Sequence, residues 1–350
     1  MSDSNDTTST RPITSVEVAR LAGVSQSTVS RVFSEREGVS SATTLRVREV
    51  ARKLGYKPNA LASSLITRRT NMIGVVMAEI SSPFYPYVLE KLTQQLHDCG
   101  KQVLLFSTAP GKDVDDVLPD VLRYKVDGLI VANAVLHSTL VEECVQLGTP
   151  LLLFNRYVRG AHASAVSCDN VAGGRMVADV LLDAGYTRLA YIAGKANTST
   201  NLDREQGFVE RLRERCYDNL LREQASYTYE SGFAAAERLL ARADRPDAIF
   251  CANDIMALGA IDAARAAGIA VPDQLSVIGF DDIPAASWGA YSLTTVRQPV
   301  NAMIDLSVRT LLERIETPDM PPTTTFVPGR LVRRGSARLV GNEERRMRNS

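Results

Sequence analysis

Two hydrophobic periods run along this chain, one helical throughout and one alternating between strand and helix. Between Thr14 and Phe33 the apolar positions are Val16, Ala19, Leu21, Ala22, Val24, Val29, Val32 and Phe33. They describe two short amphipathic helices broken at Gly23. Thr14 with Glu17 three residues on makes a T-x-x-E capping box, and Gly23 stands where a helix-turn-helix turn needs a left-handed backbone. Ser25 opens the second helix, with Gln26, Ser27, Thr28, Ser30 and Arg31 outward. A third helix is expected over Ala42–Leu54, its Leu45, Val47, Val50, Ala51 and Leu54 closing a small core. Gly55 ends it and Pro58 forbids continuation. Asn59–Ile66 is a further short helix candidate capped by Asn59, and 67–70 reads as a linker.

From Met72 short apolar runs alternate with amphipathic helices. The first series is Ile73–Met77, Tyr85–Asp98, Val103–Phe106, Val114–Tyr124, Gly128–Val131, Thr139–Leu147 and Leu151–Phe154. The second is Val166–Ser167, Val171–Ala184, Leu189–Ala193, Arg204–Arg213, Ser231–Ala241, Ala248–Cys251, Ile255–Ala267 and Ser276–Phe280. This βα rhythm predicts two parallel sheets flanked by helices, hence two lobes. Ligands in such folds sit at the carboxyl ends of strands, in the crevice between lobes. A last helix, Val300–Ile315, and apolar stretches at Thr325–Val327 and Leu331–Val332 are expected to return the chain across the hinge.

Composition sharpens this picture. The 350 residues suffice for two or three domains, with 45% hydrophobic and 23% charged residues as in globular proteins. No apolar run is long enough to span a bilayer. The segment MSDSNDTTST lacks the basic-then-apolar order of a signal peptide, so a cytoplasmic location is expected. The five cysteines are widely spaced without a C-x-x-C pair, which fits a reducing compartment. The three histidines show no metal-ligand spacing, so neither metal nor cofactor is expected. Charge is divided unevenly: residues 11–70 hold eleven Lys/Arg against four acids, the rest 29 against 36. A basic head on an acidic body fits a module that touches phosphates joined to one that does not. G-x-G-x-x-G, phosphate-loop and G-x-S-x-G motifs are missing, and Gly173-Gly174-Arg175 falls inside a helical pattern, so no catalytic residues are assigned and an enzyme is not expected.

The motifs carry a resemblance that covers residues 13–338. They are V-A-x-x-A-G-V-S-x-x-T-V-S-R-V at Val18–Val32, L-G-Y-x-P-N-x-x-A-x-x-L at Leu54–Leu65, V-D-G-L-I at Val126–Ile130, F-N-R at Phe154–Arg156, D-N at Asp169-Asn170, A-N-D at Ala252–Asp254, G-F-D-D at Gly279–Asp282 and L-T-T-V-R-Q-P at Leu293–Pro299. Together they resemble the lactose/galactose-repressor (LacI/GalR) family of transcription factors. The resemblance implies an α/β fold: a three-helix helix-turn-helix head (13–58) and a hinge helix with linker (59–70), then a two-lobed, periplasmic-binding-protein-like effector-binding and dimerisation domain with parallel sheets (71–338). Residues 1–12 and 339–350 are expected to be a disordered N-terminus and a tail. It also implies a homodimer on a pseudo-palindromic double-stranded DNA operator, acting most often as a repressor, with a small-molecule effector between the lobes changing its DNA affinity. The tail lacks leucine heptads for a tetramer, so a dimer is expected.

The family reads bases from the positions of Gln26, Ser27 and Arg31. Arg can bond guanine O6 and N7 and Gln can pair with adenine, whereas Ser25, Thr28 and Ser30 suit phosphate contacts. Arg31 also suits a phosphate. Leu61 and Leu65 share a helix face, which in isolation reads as core. In the family the residue matching Leu65 wedges between base pairs in the minor groove, beside Asn59 and Ala62. An eight-residue helix is marginal alone, so this one is expected to fold on DNA. Phe84, Tyr85, Asn155, Arg156, Arg204 (expected to open a helix), Tyr227, Asn253 and Asp281 match effector-contacting positions of the family. Amides, carboxylates and guanidinium groups beside aromatic faces suit a sugar or sugar derivative. Asn253-Asp254 and Asp281-Asp282 also suit turns and N-caps, the reading preferred for Asp254 and Asp282. Lys195–Asn201 departs from the family's loop, and Arg156 with Arg204 could balance an anionic ligand. A non-sugar metabolite or a protein partner as the signal, a soluble sugar-binding protein, and an enzyme are the alternatives.

Overall fold

The computed structural model describes residues 13–33, 38–57, 69–78, 82–108, 117–132, 138–158, 160 and 162–339. The chain divides into two compact units, Met1–Thr70 and Asn71–Ser350.

In the first unit α1 (Ser15–Ala22), α2 (Gln26–Phe33) and α3 (Ser41–Leu54) enclose Val18, Ala19, Ala22, Val29, Val32, Val47 and Ala51. The capping box forms: Glu17 N donates to Thr14 Oγ1 at 3.4 Å, and Thr14 N donates to the Glu17 carboxylate at 2.9 Å. Gly23 is left-handed, φ 65°, and Val24 N bonds Ala19 O at 3.0 Å, closing α1 in a Schellman-type turn. Thr28 N bonds Ser25 Oγ at 3.1 Å and starts α2. Three expected apolar positions are not core. Leu45 is 71% exposed, and Val16 and Leu21 are exposed as well. Leu45 precedes Val47 by two residues, about 200° around the helix, so it faces away from Val47 and Ala51. The segment Asn59–Ile66, with Asn59, Ala62 and Leu65, lies outside the described residues.

In the second unit, the first lobe holds β1 (Met72–Ala78), α4 (Phe84–Asp98), β2 (Gln102–Thr108), α5 (Leu118–Arg123), β3 (Gly128–Ala132), α6 (Ser138–Gln146), β4 (Leu151–Phe154) and β5 (Ser164–Cys168). The second holds α7 (Asn170–Asp183), β6 (Leu189–Ala193), α8 (Ser199–Glu214), β7 (Leu221–Gln224), α9 (Tyr229–Leu240), β8 (Ala248–Cys251), α10 (Asp254–Ala266), β9 (Ser276–Asp281) and β10 (Thr294–Arg297). Then come α11 (Val300–Glu316), β11 (Thr324–Val327) and β12 (Arg330–Val332). One sheet runs β11-β5-β4-β3-β1-β2 and the other β12-β10-β9-β8-β6-β7. All neighbours are parallel except β12, antiparallel to β10. The chain therefore crosses between lobes three times: after β5, after β10 into α11, which packs on the first sheet, and between β11 and β12.

Both β7 and β10 escape the sequence pattern. β7 reads L-R-E-Q because it is an edge, and its charges are paired: Arg222 Nε to Glu205 at 2.5 Å and Arg238 Nε to Glu223 at 2.7 Å. β10 buries Thr294 and Thr295, whose hydroxyls bond Arg334 O at 3.2 Å and Asp254 Oδ1 at 2.5 Å. The second lobe's core centres on Tyr191, Phe208 and Phe250, with ring centroids 5.0–5.9 Å apart. Each such ring fully buried contributes about 1.5–3 kcal/mol. Two helix pairs approach closely at glycines, where a Cβ on Gly207 or Gly232 would overlap the backbone of Val171 or Met256. Among the described residues no helix is long and apolar enough to cross a membrane.

Candidate functional site

The carboxyl ends of β4, β8 and β9 and the starts of α4 and α10 converge on a cavity of about 50 Å³ between the lobes. Its walls include Phe84, Tyr85, Asn155, Arg156, Arg204, Tyr227, Asn253 and Asp281, all eight of the effector positions named from the sequence. They come from six separate stretches of chain, which the two sheets bring to one point.

From the first lobe, Phe84 and Tyr85 open α4 with rings edge to face, centroids 5.2 Å apart. Asn155 follows β4 in a left-handed conformation, φ 65°, held by its N–H to Val166 O at 2.8 Å. Its Nδ2 donates to the Tyr85 hydroxyl at 3.2 Å, and its buried Oδ1 has no hydrogen-bond partner among the described residues. Such an acceptor is costly to leave unmet and suits a ligand hydroxyl. Burial pushes the Tyr85 hydroxyl pKa up, so it stays a protonated donor.

From the second lobe, Asn253 caps α10, its Oδ1 accepting from Met256 N at 3.1 Å. The cap and cavity-lining readings of Asn253 thus coexist, with the amide nitrogen the group left for a ligand. Tyr227 is left-handed, φ 68°, and its ring lies against Gly194, where any Cβ would collide with it. Its hydroxyl is 3.3 Å from both Thr198 and Thr200.

Arg204 differs from expectation. It lies inside α8 rather than opening a helix, because Thr198 caps that helix at Ser199. It is 2% exposed. Its Nε donates to Asn170 Oδ1 at 2.8 Å, Nη1 to Ala252 O and Nη2 to Asp281 Oδ1 at 3.2 Å. The guanidinium carbon sits 3.7 Å over the Phe280 ring centroid. Its charge is thus met by Asp281, which removes it as the balance for an anionic ligand. Asp281 also accepts from Gln298 Nε2 at 2.7 Å, and burial holds its carboxyl above the ordinary pKa against the pull of Arg204.

Asp254 and Asp282 are neither caps nor plain turn residues. Asp254 is fully buried, accepting from Thr295 Oγ1 at 2.5 Å and Ile283 N at 2.9 Å, and burial raises its pKa to about 7. Asp282 pairs with Arg297 and, at 2.7 Å, with Arg334. Sequence reasoning missed Ser82, Thr200, Ser226 and Thr228 on the cavity wall. Small hydroxyl residues carry no motif, although Thr200 falls in the divergent 195–201 segment. Across the cleft mouth the Tyr157 hydroxyl donates to the Asp203 carboxylate at 3.0 Å, and Tyr157 N donates to Ser199 Oγ at 3.2 Å. These bonds hold the lobes together.

On the first unit, Ser25, Gln26, Ser27, Ser30 and Arg31 are exposed and Thr28 is half-buried, while Val29 and Val32 turn inward. Ser25 Oγ lies 2.7 Å from Ser27 Oγ and 2.8 Å from Thr28 Oγ1. Gln26 Nε2 donates to Ser15 Oγ at 3.0 Å, tying α2 to α1. Among the described residues no group of three His, Cys, Asp or Glu could hold a metal ion.

Residues 16–59 match the model of bacterial regulatory proteins of the lacI family, and residues 178–337 that of periplasmic binding protein-like domains. The HTH-type transcriptional regulator DegA of Bacillus subtilis is 37% identical over 82% of this chain and 87% of its own length. A transcriptional regulator CelR–cellobiose complex is 31% identical, with TM-score 0.70 over 93% of this chain and 100% of that one. The lac repressor dimer bound to operator and an anti-inducer is 25% identical, with TM-score 0.84 over 93% of this chain and 99% of that one.

Proposed function

The chain belongs to the LacI family of bacterial regulatory proteins, and from that premise we propose how its residues carry out DNA-binding transcriptional regulation. The exposed face of α2 enters the major groove of an operator half-site. Gln26, Ser27 and Arg31 contact base edges, and Ser25, Thr28 and Ser30 contact phosphates. On sequence grounds the hinge segment follows, with Asn59, Ala62 and Leu65 in the minor groove. Two copies of the chain read the two halves of a pseudo-palindrome, most often to repress.

The sensor binds a small molecule, a sugar or sugar derivative, between its lobes. One observation carries this reading: eight side chains from both lobes, including the unmet Asn155 Oδ1, meet at one interlobe cavity. A ligand there contacts both lobes at once, so its binding energy shifts the equilibrium between lobe arrangements by its differential affinity for them. The related CelR structure is a complex with cellobiose, which supports a saccharide here. The protein acts in the cytoplasm and binds its effector without turning it over.

Selection of the operator from random duplex DNA, repeated with neutral sugars, sugar acids, sugar phosphates and purines, tests the proposal. A palindrome whose affinity shifts with one compound is the expected result. Failure of folded protein to select any palindrome at moderate salt would sink it. A palindrome indifferent to every compound would sink the small-molecule half.

A further inference from the structure

Phe84 and Asp281 also line a second, larger cavity, of about 630 Å³, with residues at the ends of β9 and β10 and the start of α11. We infer that this compartment binds an anionic, polyhydroxylated ligand, of the class of a sugar phosphate or sugar acid, with Arg330 and the N-terminus of α11 as its anion contacts. The inference rests on the effector reading above and extends it, giving the ligand's charged end a compartment that shares Phe84 and Asp281 with the inner cavity.

Size is the first argument. The inner cavity offers about 50 Å³ with the lobes as they stand. Small-molecule sites measure about 300–1,000 Å³, and the outer compartment falls in that range.

Charge is the second. Arg297 and Arg330 stand directly opposite each other on antiparallel β10 and β12, an arrangement that repels unless a counter-charge is shared. The nearby carboxylates are taken. Asp281 serves Arg204 and Gln298, and Asp282 serves both Arg297 and Arg334. Arg330 is exposed, and its guanidinium has no hydrogen-bond or ion-pair partner among the described residues. Asn301 and Ala302, in the first turn of α11, line the same cavity. That helix runs seventeen residues and begins after Pro299, with no side-chain cap and no acid in its first turn. Its positive dipole end thus has no acid of its own, and the carboxylates nearest it, Asp281 and Asp282, are held by arginines, so an anion is its natural complement.

Gln298 is 2% exposed and lines the cavity. Its Nε2 is committed to Asp281, while its buried Oε1 has no hydrogen-bond partner among the described residues. An acceptor needs a donor, which a sugar hydroxyl supplies and the fully ionised sulfate anion does not. Cationic groups beside an unmet acceptor therefore select a molecule carrying both an anionic group and hydroxyls.

The test is calorimetric titration of the full chain with glucose and ribose, their terminal phosphates, gluconate, ribonate and sulfate. The one tryptophan, Trp288, follows the wall residue Ser287 and gives a fluorescence readout of the same titration. At least one anionic compound should bind about ten- to a hundredfold more tightly than its neutral parent, the worth of one charge-assisted contact. Arg330→Gln should erase that difference and Arg330→Lys should keep most of it. The inference is overturned if no anionic compound outbinds its parent, or if Arg330→Gln leaves the preference intact. It is also overturned if sulfate binds as tightly as the sugar phosphates, since the site would then be a bare anion hole. Operator binding measured alongside separates the two readings. A neutral sugar that shifts operator affinity equally in wild type and Arg330→Gln removes this inference and leaves the effector proposal standing.

Discussion

Replacing Arg204 by Met tests whether this buried cation is structural. Methionine keeps an unbranched apolar stem and helix propensity, so α8 itself should persist. What disappears is the charge, the bonds to Asn170, Ala252 O and Asp281, and the stacking over Phe280. Removing one partner of a buried pair costs about 3–5 kcal/mol, because the other charge is stranded. That is a large share of the roughly 5–15 kcal/mol that holds a domain folded. The loss also has a pH signature. Burial already raises the Asp281 carboxyl pKa, and Arg204 is the group pulling it down. Without Arg204 the folded-state value climbs further above the unfolded value of about 4. A carboxyl raised on folding stabilises fully below its unfolded pKa, and that stabilisation is lost as pH rises through the folded value. The variant should therefore lie closer to wild type near about pH 5 than near about pH 8. Adding Asp281→Asn should return part of the loss by removing the stranded charge. Urea unfolding followed by far-ultraviolet circular dichroism at both pH values reads all three quantities. A cost below about 1 kcal/mol, the average for any substitution, or one independent of pH, would refute the reasoning.

Four further outcomes are expected. Asp254→Asn should flatten the pH dependence of stability: with its pKa raised to about 7 by burial, wild type loses stability as pH rises from the unfolded carboxyl value through neutrality, and an amide cannot. Gly207→Ala should cost about 1–3 kcal/mol in a thermal melt, because the new Cβ overlaps the Val171 carbonyl and forces α7 from α8. Tyr157→Phe removes the bond to Asp203 across the cleft mouth and should raise the population with separated lobes, seen as a larger radius of gyration in small-angle scattering. Arg31→Ala should weaken operator binding by about 1–3 kcal/mol and relax preference at one base position. A uniform loss across all sequences would instead make Arg31 a phosphate contact.

Much of this protein is written in local sequence. The head follows from its caps and one turn: Thr14 with Glu17, Gly23 at φ 65°, and Ser25 before α2 act over three or four residues. Fully buried strands such as Leu151–Phe154, Leu189–Ala193 and Ala248–Cys251 are uninterrupted apolar runs, legible because both faces are covered. β7 and β10 were not legible. Their polar residues are tolerated only because Glu205, Glu223, Asp254 and the Arg334 carbonyl, all distant in sequence, lie within reach. Leu45 went the other way: it is apolar yet exposed, since the helical phase set by Val47 and Ala51 left it no partner. The candidate site divides along the same line. Its residue types are present in F-N-R, A-N-D and G-F-D-D. Which of them face a ligand and which hold the frame is settled only where distant segments meet. Arg204 and Asp281, 77 residues apart, neutralise each other, while Arg330 is left uncompensated because the register of β10 and β12 sets it against Arg297. Caps and hydrophobic period act within a helical turn and belong to the sequence. Charge balance and burial are sums over neighbours in space, and only the tertiary structure supplies them.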